Sequence, residues 1–130
     1  MSKGEDKIAQ LLRSGGINYK REVSFPDLKN YGGHLLRFDF AVYSRGKLAF
    51  LIEFDGEQHF HQVKKYQKTI FEFRQTQERD RKKNAYCLAK GIPLIRIPYW
   101  DYDKLTLHSL LTKKEYRVKS QFHTDLLQRR

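Results

Sequence analysis

The chain has 130 residues, with 26 Lys and Arg against 15 Asp and Glu, giving a formal charge of +11. That length makes one domain able to bury roughly two-thirds of its unfolded surface, and 39% hydrophobic with 14% aromatic residues excludes global disorder. A single cysteine excludes a disulfide framework and a cysteine-built zinc site.

No apolar run nears the roughly 18 residues that span a membrane. Met1 to Asp6 lacks the apolar core of a signal peptide. The expectation is an intracellular protein with no membrane partner. The cationic surplus favours nucleic acid or another anionic surface as partner; its plainer reading is charge that keeps a basic protein soluble.

The first helix is capped by Ser2 or Gly4, carries Glu5 and Asp6 in its first turn, and stops at Gly15-Gly16. Ile8, Leu11 and Leu12 form its apolar stripe. Ile17 to Phe25 reads as a strand and Pro26 to Gly33 as a loop. A hairpin follows, Leu36 to Tyr43 and Leu48 to Asp55 around Ser44-Arg45-Gly46-Lys47. Alternation puts Leu36, Phe38, Phe40 and Val42 on one face and Asp39 with Ala41 and Tyr43 on the other. On the second strand, Glu53 and Asp55 share a face.

Gly56 to about Val63 is a loop, and a long helix is expected from about Lys64 to Lys90, ended by Gly91. Phe73, Gln77, Asp80, Asn84 and Leu88 recur at helical spacing, which turns Asp80 inward. Ile92 to Pro98 is a short strand whose early proline suits an edge or a strand start. Asp101 or Asp103 caps a short helix through Leu111. Residues 1–111 form the core domain, and 112–130 a basic C-terminal helix or tail, either docked or mobile. The order predicts an α/β fold, a mixed four-stranded sheet flanked by helices.

Three carboxylates, Asp39, Glu53 and Asp55, lie in the most apolar hairpin of a cationic chain. Buried ionised acids need compensation, and neighbouring strands bring carboxylates to the spacing a Mg²⁺ ion takes. The plainer account of any one of them is an ion pair with Arg37 or Arg96. His59 follows Asp55 by four residues and can accept a proton from a metal-proximal water; His61 beside it reads as a surface histidine. Asp80 is either an exposed acid making helical ion pairs or the acid that orients His59. Glu5, on its own, reads as a first-turn acid.

The ordered set Arg37-Phe38-Asp39-Phe40, Ile52-Glu53-Phe54-Asp55-Gly56-Glu57-Gln58-His59, Asp80-Arg81-Lys82-Lys83-Asn84 and Pro93-Leu94-Ile95-Arg96-Ile97-Pro98 resembles the PD-(D/E)XK nuclease superfamily. Its nearest branches are the very-short-patch-repair-like endonucleases and the phage homing endonucleases with an EDxHD site. The resemblance spans roughly Gly4 to Tyr102.

It implies a small restriction-endonuclease-like core and a metal site built by Asp39, by Glu53 or Asp55, and by the backbone carbonyl at Phe54. It also implies a catalytic His59 oriented by Asp80, with Glu5 as the first-helix glutamate. Asp55 stands where the superfamily's lysine would be, so a histidine mechanism is expected. The zinc ligands of the repair enzymes are missing, so mismatch specificity is not implied. The function expected is Mg²⁺-dependent DNA endonuclease, with Mn²⁺ able to substitute, in the cytoplasm of a bacterium or phage-infected host. A homodimer is left open. The alternatives are a non-catalytic nucleic-acid-binding protein and an RNA-processing nuclease.

Overall fold

The computed structural model describes residues 2–63 and 69–127. Helix α1, Lys3–Ser14, is capped by the Ser2 side chain, which accepts from the Glu5 N–H. Strands β1 (Asn18–Lys29), β2 (Leu35–Ser44), β3 (Lys47–Asp55) and β4 (Leu94–Pro98) form one sheet in the order β1-β2-β3-β4. The first three are antiparallel and β4 joins β3 in parallel, so the sheet is mixed and β4 lies at its edge. Arg45 and Gly46 both have positive φ at the β2–β3 turn, where Ser44 pairs with Lys47. That is the two-residue turn matching the twist of a hairpin.

The crossover from β3 to β4 carries a short 3₁₀ turn, Glu57–His59, and helix α2, Ile70–Lys90. Thr69 caps α2, and Gly91 ends it with φ 68°. The expected start near Lys64 falls on residues 64–68, outside the described ones. The inward row of α2 is Thr76, Asp80, Asn84 and Cys87, while Leu88 is exposed. Asp80 and Asn84 therefore face in as their spacing predicts, and Cys87 takes the place expected of Leu88.

The sheet separates two apolar layers. On one side Ile8, Ala9 and Leu12 of α1 meet Phe40, Val42, Ile52 and Ile97; on the other, Cys87 of α2 meets Phe38, Ala41, Leu51 and Leu94. Phe38 and Leu36 thus lie opposite to Phe40 and Val42, against the strict alternation expected. The break falls at Asp39. Its register position on β1 is Glu22, which takes a positive φ of 56° between the pairs Arg21↔Phe40 and Val23↔Phe38. Asp39, opposite this left-handed residue, belongs to neither apolar layer.

Two other boundaries move. β1 runs on past Pro26 to Lys29, with a register shift after Ser24. The helix expected to be capped by Asp101 or Asp103 is instead a 3₁₀ turn, Tyr99–Lys104, followed by α3, Leu107–Thr112, which Thr106 and Ser109 cap reciprocally. Asp101 accepts from the Tyr116 hydroxyl instead. After α3 the described residues stay docked as far as Leu127: Tyr116, Val118 and Thr124 are buried, and a five-residue helix α4, His123–Leu127, lies against α2. Among the described residues no helix is long and apolar enough to cross a membrane.

Candidate metal and phosphodiester site

Backbone pairing between β2 and β3 ends at Phe40↔Ile52. One residue further on, the Asp39 side chain replaces the missing strand partner: its Oδ2 accepts the Phe54 N–H at 2.8 Å. The Phe54 ring packs with the α1-side layer and rests on Gly4, where an added Cβ would lie 2.3 Å from the ring. Gly4 thus lets the start of α1 close onto β3, and Glu5 is the next residue. Glu5 is held by the Ser2 hydroxyl at 3.0 Å and lies 3.8 Å from Arg21.

Burial, then the Glu53 carboxylate, raises the Asp39 carboxyl to about 8; Glu5 adds to the effect, while the Phe54 N–H and Lys83 oppose it. Glu53 is buried on β3, and Lys83 of α2 pairs with it at 3.0 Å. The group is rich in hard oxygen donors whose charges repel, an environment that suits Mg²⁺ or Mn²⁺. In donor type, Asp39, Glu53 and Glu5 suit a divalent cation.

Asp55 feels the Glu53 charge but has a cationic partner of its own. It is 1% exposed and bonds Arg96 at 2.6 Å. Of the two expected candidates beside Asp39, Glu53 is the one whose charge bears on it most, and Asp55 has the arginine partner that the plainer reading gave it. Arg37 pairs with Glu22 on the surface.

Asp55 belongs to a second group behind the first. His59 Nδ1 lies 2.8 Å from Asp80 Oδ2 and 3.8 Å from Asp55 Oδ1. Asp55, His59 and Asp80 offer ligand atoms within 4.8 Å of one another, and among the described residues Asp55 Oδ2 finds no hydrogen-bond partner. The Arg96 guanidinium already supplies a fixed positive charge to both acids, at 2.6 Å from Asp55 and 3.6 Å from Asp80. We therefore read this second group as an ion-pair network.

Burial lowers the proton affinity of the His59 ring, but Asp80 and then Asp55 outweigh it and raise the ring to about 9. Asp80 and Asp55 thus hold a proton on the ring more tightly than on the near-neutral acceptor expected of His59. Asp80 is pushed up by burial, and Arg96 and His59 more than reverse this, so it stays ionised. His61 is exposed, 3.5 Å from the Tyr99 hydroxyl.

A cleft of about 410 Å³ opens between the start of α1 and the segment after β3, lined by Glu5, Phe54, Glu57, Tyr99 and Tyr102 among others. Sequence reasoning quoted Lys83 and passed over its part. Its signal was the i, i+3 spacing from Asp80, which aims both toward the sheet. Gly4 gave no signal, because its role depends on a ring from another element. No protein-family model, curated protein or solved structure matches this chain.

Proposed function

We propose that this protein is a divalent-cation-dependent DNA endonuclease with a PD-(D/E)XK-like site. The observation that carries the reading is the Asp39 carboxylate capping the Phe54 N–H where the strands part, with Glu53 and Glu5 acting on it. A protein that only binds phosphate gains nothing from gathering acids in this way. Asp39, Glu53 and Glu5 would hold Mg²⁺ with the peptide at Phe54 alongside, and the ion would polarise the phosphodiester and activate water.

Lys83 balances Glu53 and limits the negative charge that an incoming phosphate meets. Asp80 holds the His59 ring through Nδ1. Held in its charged form by Asp80 and Asp55, His59 would stabilise the phosphoryl oxygens and protonate the leaving oxygen. With His59 protonated, Glu57 on the cleft is the carboxylate that accepts the proton of the attacking water.

The test is cleavage of supercoiled, linear and branched DNA with Mg²⁺ or Mn²⁺. A substrate with sulfur as the bridging leaving atom then separates the roles. Sulfur leaves without protonation, so this substrate should restore turnover to His59→Ala and not to Glu57→Gln. Absence of cleavage with either metal would favour the nucleic-acid-binding alternative.

A further inference from the structure

Arg96 heads the large side chains that are fully buried among the described residues. A guanidinium does not give up its charge, and burying it without acceptors costs several kcal/mol. Its acceptors account for the fork: Nε donates to Asn84 Oδ1 at 2.7 Å, Nη1 to Asp55 Oδ1 at 2.6 Å, and Nη2 to the Asp80 carbonyl at 3.4 Å. The same Nη2 lies 3.6 Å from Asp80 Oδ1. Arg96 therefore grips Asp80 at both its backbone and its side chain, and draws Asp55 to itself. With Asp55 engaged, His59 Nδ1 takes Asp80 at 2.8 Å and stands 3.8 Å from Asp55.

Arg96 is itself fixed from behind. Asn84 turns its amide oxygen to Arg96 and donates its nitrogen to the Gln121 carbonyl at 3.0 Å. The segment bearing Gln121 is tied to the sheet and to α2. The Val118 N–H donates to the Leu94 carbonyl, Arg117 bridges Ile95, and Arg81 forks onto Asp125 at 2.8 and 3.2 Å.

We infer that Arg96 is the positioning residue of the His59–Asp80 pair, locked in place by Asn84 and the C-terminal segment of residues 113–127. The kinetic part of this inference rests on the nuclease reading; the geometric part does not. A basic tail would serve DNA affinity, whereas this segment is tied to α2 beside the site through Gln121 and Asp125.

The experiment uses the full chain and three variants. Arg96→Lys keeps the charge but not the planar fork. Asn84→Ser shortens the link to Gln121, and Asp125→Asn loosens the segment at the surface and leaves the core intact. The primary readout is the low-field proton resonance of the His59 Nδ1–H bonded to Asp80. Expected is about tenfold or faster exchange of that proton in Arg96→Lys and Asn84→Ser, a smaller effect in Asp125→Asn, turnover lower by about 10–100-fold, and DNA affinity within about twofold of wild type.

Wild-type exchange in the folded variants would overturn the inference, as would DNA affinity falling in step with turnover. If Arg96→Lys does not fold, the other two variants decide. If the wild-type protein cuts no DNA, the proton resonance still decides, so failure of the nuclease reading and failure of this one are distinguishable.

Discussion

Cation binding at Asp39 should release a proton. Burial and the Glu53 charge raise the Asp39 carboxyl to about 8, so below that pH an incoming cation must displace its proton. Affinity should fall by a factor approaching tenfold per pH unit well below 8, or about 50-fold between pH 8 and pH 6. Calorimetric titration with Mn²⁺ in two buffers of different ionisation heat counts the protons directly. The count should be about one near pH 6.5 and approach zero near pH 9.

Stability supplies the second readout. The unfolded chain loses this proton near about 3.9, while the folded state keeps it up to about 8. Across that window the folded state binds more protons, so this group makes stability fall as pH rises. A cation relieves the repulsion, so Mn²⁺ should raise the melting temperature more near pH 8 than near pH 6. Asp39→Asn should abolish both effects. No proton release near pH 6.5, or an unchanged count in Asp39→Asn, would refute the placement of the cation.

The same substitution should abolish cleavage while DNA affinity, measured by gel shift above pH 8 where the Asp39 carboxyl is ionised, stays equal or tightens, because a negative charge facing phosphate is removed. His59→Ala should lower turnover by about 10²–10⁴, Asp80→Asn by less, and the double variant by little more than His59→Ala alone; strictly additive losses would defeat the pairing. His59 contributes stability that is complete below its unfolded value of about 6.5 and is lost as pH rises through about 9, so denaturant midpoints should decline across that range in wild type and stay flatter in His59→Ala. DNA affinity should fall with salt at a log–log slope of roughly −4 to −5 if about five phosphates are contacted; a flat response would point to another partner.

The elements were legible in the sequence because they rest on local physics. Gly91 stops α2, the Ser44-Arg45-Gly46-Lys47 turn marks the β2–β3 hairpin, and Asp80 and Asn84 repeat on one helix face; each stands where the sequence predicts. The pairing of His59 with Asp80 also followed, since a loop histidine after β3 and an inward helical acid converge once α2 packs on the sheet.

What the tertiary structure decided was how the charges are shared. The two carboxylates on one face of β3 have different fates, because Arg96 on the neighbouring strand takes Asp55 while Lys83 from α2 takes Glu53. Opposite the left-handed Glu22, Phe38 and Phe40 fall in different layers, a change no period-2 reading contains. His59 gains its positive charge from two acids that lie 4 and 21 residues away in the chain. Proton affinity follows the field of every neighbour and the depth of burial, and both come into being only when the chain is folded.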